Sequence, residues 1–150
     1  MKLAEALLLR SDYQRDIYEL KTKIIHCSKI QEGEEALVNP DELLSKLDDV
    51  FNKLELITKR INYTNSHIAI NGETLVNLIL TRDHIKMKRK ILATLLDEAT
   101  VKQDRYSQSE IKFITIIDVL DIQRQMDDLS KRFRELDTKI QQLNWNNDLM

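Results

Sequence analysis

The chain has 150 residues, 42% of them hydrophobic, enough for one domain with a sizeable core. Two Gly, one Pro and 32% charged residues describe long helices rather than a sheet. Lys plus Arg number 23 against 25 Asp plus Glu, a formal net charge of −2, so no global basic field draws the chain to nucleic acid or an anionic membrane, and neither is expected as a partner.

The apolar run at 6–9 is bracketed by Glu5 and Arg10, too short for the core of a secretion signal. No apolar run approaches the roughly 18 to 20 residues of a membrane span. A single cysteine, Cys27, allows no internal disulfide and suits a reducing cytoplasm.

The first helix is expected over about 2–31. Leu3, Ala6, Tyr13, Ile17, Leu20, Ile24 and Cys27 keep a three-four spacing, interrupted by one charged seam residue, Arg10. Glu32-Gly33-Glu34-Glu35 then stops the helix. This acidic turn lacks the Asp/Asn spacing of a calcium loop, so a solvated turn is the reading preferred over a cation site.

Asn39-Pro40-Asp41-Glu42 reads as a helix start, with Asn39 as cap, Pro40 first in the helix and Glu42 closing a capping box. Leu43, Leu47, Val50, Leu54, Ile57, Ile61, Thr64 and Ile68 carry its seam, which turns polar at Asn62-Tyr63-Thr64-Asn65. Asn71-Gly72 marks a turn, in either a short hairpin or a plain helix-to-helix corner.

A third helix is expected over about 74–99, with Leu75, Leu78, Ile85, Leu92, Leu96 and Ala99 on its stripe and Arg82 and Arg89 in the same register. Arg82, Lys86, Lys88, Arg89 and Lys90 against one acid, Asp83, form the main local positive surplus. Interleaved aromatics are absent, which argues against a nucleic-acid surface. Over 100–118 the signals conflict: Ser107-Gln108-Ser109-Glu110 fits a capping box, while 111–117 is β-branched and aromatic enough to favour extended structure.

Asp118 caps the last helix. Val119, Ile122, Met126, Leu129, Phe133, Leu136, Ile140 and Leu143 then fall on one stripe without a miss, the narrow seam of a coiled coil or bundle. Asn144-Trp145-Asn146-Asn147 ends it, with Trp145 read as packing against a neighbour rather than as a ligand platform.

Four stretches of similar length predict a mainly α fold: one domain over 1–150, four long helices as an antiparallel bundle or coiled-coil-like hairpins, with a short β element in 105–118 or around 66–76. At about 1.5 Å of rise per residue, an up-down-up course puts Arg10 and Arg82 at one level, with Asn62 near it and Asn65 one turn lower. The same arithmetic pairs Glu55 with Arg89.

Two readings follow for the seam arginines. In one they snorkel, or pair with the off-seam carboxylates Asp12, Asp83 and Asp137 and set helix register. In the other, Arg10 and Arg82 clamp a phosphate or carboxylate ligand, Asn62 and Asn65 orient it, and Asp83 stands beside the arginines. Arg105, Tyr106, Ser107, Ser109, Glu110 and Lys112 would then form the cover.

Enzymatic signatures are missing. His26, His67 and His84 have no metal-ligand spacing, Cys27 has no base, and Gly33 and Gly72 make no phosphate loop. Nothing activates Ser107 or Ser109 as a nucleophile, and capping is their preferred role. No catalytic residue, metal or cofactor is expected.

Across nearly its whole length the sequence resembles the septicolysin-like family of small bacterial helical proteins. The resemblance is carried by Leu8-Leu9-Arg10-Ser11-Asp12, Gln31-Glu32-Gly33-Glu34-Glu35, Ile61-Asn62 with Thr64-Asn65, Gly72 with Thr74-Leu75, Arg82-Asp83, Arg105-Tyr106-Ser107 with Ser109-Glu110-Ile111-Lys112, and Leu143-Asn144-Trp145. The chain departs from the family pattern at Tyr63 and Gln108, where Arg is usual, and at Ala36, where Pro is usual.

The resemblance implies a cytosolic, self-associating helical protein. The family's name implies a membrane-lysing toxin, for which this chain shows no secretion signal or membrane hairpin. Apolar positions off the seams, such as Leu9, Leu44, Phe51 and Leu120, independently point to a homo-oligomer. The expected function is a non-enzymatic, self-assembling structural or interaction protein. The alternative is a small-anion or nucleotide binding protein, or an enzyme, built on the arginine/asparagine pocket, and a toxin comes third.

Overall fold

Among the described residues, three-four apolar spacing with few helix breakers produces four helices: α1 (Leu3–His26), α2 (Pro40–His67), α3 (Leu75–Ala99) and α4 (Val119–Asn146). Between α2 and α3 lies a two-stranded sheet, β1 (Ala69–Ile70) and β2 (Glu73–Thr74). The structure is a computed structural model and describes residues 1–34, 38–100 and 113–150. They cluster into two compact units, Met1–Val76 with Gln141–Met150, and Asn77–Ile140.

In the first unit α1 and α2 pack antiparallel, and Asp16 to Lys23 face Lys46 to Lys53 across a groove of mixed charge. Helix α1 ends about five residues before its expected limit. The hydroxyl of Ser28 donates to the Ile25 carbonyl at 2.7 Å, and past Cys27 no stripe residue remains to bury, so local bonding wins over another turn. Asn39 caps α2 through the amide of Asp41, at 3.0 Å, with Pro40 as the first helical residue. The cap thus reaches the second helical amide, not the third.

Of the two readings of Asn71-Gly72, the hairpin is the one formed. Ala69 pairs with Thr74 and Ile70 with Glu73, and Asn71 (φ 53°) and Gly72 (φ 80°) both take left-handed backbone, the tight turn that matches strand twist. The β element thus falls in 66–76. In 113–118, the described part of the other candidate stretch, there is no strand.

The core of this unit includes Leu3, Ala6, Ile57, Ile61, Thr64, Ile68, Leu75 and Leu149, all buried. Each fully buried large aliphatic contributes about 1.5–3 kcal/mol. A chain-end clasp closes over it. Leu3 N donates to the Asn147 carbonyl at 3.0 Å and Leu149 N to the Met1 carbonyl at 2.9 Å, and Lys2 pairs with Asp148 at 3.2 Å. The Met150 amide donates to Thr64 Oγ1 at 2.9 Å. Arg60 Nε donates to the Met150 main-chain oxygen at 2.9 Å.

In the second unit α3 and α4 run antiparallel, since Arg82 meets Asp137 while Arg89 meets Ser130. Asp118 caps α4 through the amide of Asp121 at 3.0 Å. Leu78, Ile85, Leu129 and Ile140 are buried, but Ile122, Met126, Phe133 and Leu136 are only half-buried and Val119 is exposed. The unbroken stripe on α4 is therefore fully covered only at Leu129 and Ile140, with Leu143 half-buried as well.

Candidate functional site

Arg82 is the best-held cation of the described residues. Its side chain is 22% exposed, its Nε and Nη2 donate to Asp83 Oδ1 at 3.0 and 2.9 Å, and its Nη1 donates to Asp137 Oδ1 at 3.2 Å. Two carboxylates thus face one guanidinium, and an approaching oxyanion meets net negative charge. Asp12 pairs instead with Arg15, at 2.9 Å.

Arg10 is half-buried, and its Nε is buried with no hydrogen-bond partner among the described residues. Continuing the α1/α2 register puts Arg10 about level with Lys59, so Asn62 lies about one turn away. Asn62 is exposed and Asn65 half-buried. Arg10, Asn62 and Asn65 belong to the first unit, Arg82 and Asp83 to the second. Arg105, Tyr106, Ser107, Ser109, Glu110 and Lys112 lie outside the described residues.

Glu55 belongs to the first unit and Arg89 to the second, and each has a partner within its own unit. Glu55 accepts from Lys59, one turn along α2, and that hydrogen bond and charge hold its carboxyl below the usual carboxylate range. Arg89 Nε donates to Ser130 Oγ at 2.6 Å. Partners one turn away on the same helix, or directly opposite on the packed neighbour, are nearer than the height arithmetic allows for.

The basic run of α3 is therefore divided. Arg82 is consumed by carboxylates, whereas Lys86, Arg89 and Lys90 line a groove of about 540 Å³ with Ala93 and with Ser130, Phe133 and Arg134 of α4. The α4 members are missed by reading single helices. Their own spacing at 130, 133 and 134 is the signal that marks them as one face.

A second feature missed in the sequence is the outer side of α3. Leu80, Met87, Ile91 and Leu95 are all exposed, and with His84 they repeat the three-four spacing in a register separate from the seam. At its C-terminal end, Leu95 shares a groove with the non-helical stretch 113–117, where Phe113 is 85% and Ile116 91% exposed. Thr115 Oγ1 ties this stretch to the Ala99 carbonyl at 2.6 Å. Leu44, Phe51 and Leu120, singled out as surplus apolar positions, are exposed as well, while Leu9 is half-buried. Trp145 remains 55% exposed, so packing within the chain covers less than half of it.

Among the described residues, no helix is long and apolar enough to cross a membrane. No group of three or more His, Cys, Asp or Glu among them is placed to hold a metal ion. The chain is similar to a functionally unknown conserved protein from Corynebacterium diphtheriae, seen in a crystal structure. The two are 38% identical, the match covers 100% of this chain and 99% of that one, and the TM-score is 0.93. No curated protein matches the sequence. A model of a protein family of unknown function, DUF6847, matches residues 10–149, and the chain belongs to that family.

Proposed function

We propose that this is a non-enzymatic, self-associating helical protein of the cytoplasm, whose outer α3 face receives a second copy of the chain. The observation that carries the reading is the exposed stripe Leu80–Met87–Ile91–Leu95, continued by the open side chains of Phe113, Ile114, Ile116 and Leu120. Eight large apolar groups left this open expose several hundred Å², more than a monomer ordinarily leaves in one region. That is of the order of the roughly 800 Å² per partner buried in a standard interface.

Charge favours another copy as the occupant. The stripe has Lys88 at its edge, beside Met87, whereas Leu44 and Phe51 of α2 are spaced by Asp41, Asp48 and Glu55. A basic-edged apolar face and an acidic-edged one on the same chain complement each other between copies. A heterologous contact of this kind builds rings or filaments. The free thiol of Cys27 suits a reducing compartment, and the resemblance to septicolysin-like proteins supports the same reading.

Light scattering on a size-exclusion column tests it. Wild type is expected as a defined multimer, and Met87→Glu/Ile91→Glu as a folded species of lower mass. A wild-type monomer at all concentrations refutes self-association.

One observation favours a ligand-binding reading as second. A buried guanidinium nitrogen without a partner is costly, and Arg10 Nε is one. Phosphate or a dicarboxylate should then raise the melting temperature of the wild type but not of Arg10→Met. No shift in either protein removes this reading.

A further inference from the structure

We infer that the groove between α3 and α4 binds a phosphorylated planar ligand of the nucleoside diphosphate class. Its charged lining is all of one sign: Lys86, Arg89 and Lys90 from α3 and Arg134 from α4, with no carboxylate among the lining residues. None of the four forms an ion pair with a described carboxylate, whereas Arg82 on the same helix takes two. One turn from Ser130 on α4, Asp127 accepts instead from Gln123 at 3.2 Å. Four like charges around one groove repel, and a polyanion that binds there relieves the repulsion.

The groove is also built to present one of these charges. Ser130 Oγ donates to the Met126 carbonyl at 2.8 Å and accepts from Arg89 Nε at 2.6 Å. The guanidinium is thereby anchored through Nε, and its two terminal nitrogens have no partner among the described residues. That edge is the one that takes two phosphate oxygens side by side.

Between the cations lie the half-buried Phe133 and Ala93, which supply apolar surface for a flat ring. The volume, about 540 Å³, falls within the range of small-molecule sites. A polyanionic head with one planar body fits four cations around one phenyl group. A nucleic-acid strand would need repeated stacking partners, and the groove has one aromatic residue. The site does not depend on self-association, because residues 86, 89, 90 and 93 and the outer stripe occupy different faces of α3.

Isothermal titration with ADP and with inorganic pyrophosphate as probes decides the matter. The expected result is saturable ADP binding with a Kd at or below about 0.1 mM in low salt, and weaker pyrophosphate binding. Lys90→Ala and Arg134→Ala, both surface changes, should each weaken ADP about tenfold or more, the loss of one charge-assisted hydrogen bond. Phe133→Leu should weaken ADP while leaving pyrophosphate unchanged, and Arg10→Met should alter neither. Four results would overturn the site: no saturable ADP binding below about 5 mM, equal affinity for the two probes, affinity indifferent to Arg134→Ala, or binding of a short oligothymidine without ADP.

Discussion

Thr64→Val isolates the clasp between α2 and the last residues of the chain. Thr64 is fully buried. Its hydroxyl donates to the Arg60 carbonyl at 2.8 Å and accepts from the Met150 amide at 2.9 Å. Valine keeps the shape and removes both bonds. The Arg60 carbonyl keeps its helical bond, whereas the part-buried Met150 amide loses its acceptor.

A stranded buried donor costs about 1–3 kcal/mol against about 0.5–1.5 kcal/mol for an ordinary net hydrogen bond, so a loss of about 1–2 kcal/mol is expected. In a chain of this size that lowers Tm by about 2–8 °C. Thr64→Ser, which keeps the hydroxyl and loses a methyl, should cost about 1 kcal/mol. Urea unfolding followed by circular dichroism measures both, and amide exchange at Met150 should accelerate in the valine variant alone. If Thr64→Val matches or exceeds wild type, or if serine is the worse substitution, the clasp does not stabilise the fold as described.

Three further outcomes follow from the geometry. Arg82→Ala should cost about 1–2 kcal/mol by leaving the half-buried Asp137 facing Asp83 without a cation, and the Arg82→Ala/Asp137→Ala double variant should recover part of that in a double-mutant cycle. Gly72→Ala should cost about 1 kcal/mol in chemical denaturation from backbone strain alone, because Gly72 has φ +80° and an added Cβ meets no atom within 4 Å. The Glu55 carboxyl is lowered on folding by Lys59, so its small contribution is present above the unfolded carboxylate value and lost as pH falls through the folded one. Wild type and Glu55→Gln should therefore converge in acid, below about pH 4, and in high salt, and a gap that widens in acid contradicts the pairing.

What the sequence reveals here is what lies within one or two helical turns. Asn39-Pro40, Asp118 and Asn71-Gly72 each act on their own neighbours, so the α2 and α4 starts and the turn could be read directly. Composition points to long helices, and the three-four apolar spacing locates those of the described residues. The Arg82–Asp137 bond spans 55 residues, yet it was foreseeable because both side chains fall at one height on antiparallel helices.

The Thr64–Met150 clasp joins residues 86 apart through a main-chain amide that has no sequence signature. Height arithmetic pairs Glu55 with Arg89 and does not see the partners each takes within its own unit, Lys59 and Ser130. The outer stripe of α3 is a second three-four series on the same helix as the seam, and spacing alone does not say which of two such series a neighbour covers. The all-cationic groove needs two helices side by side to exist.

Methionine oxidation tests the outer face of α3 most directly. Met87 lies in the proposed contact and is 61% exposed, while Met150, 52% exposed, lies outside it. Dilute peroxide should attack both at similar rates near 1 µM protein, and raising the concentration to about 100 µM should slow Met87 several-fold while Met150 keeps its rate. Equal oxidation of the two methionines at every concentration would contradict self-association through this face.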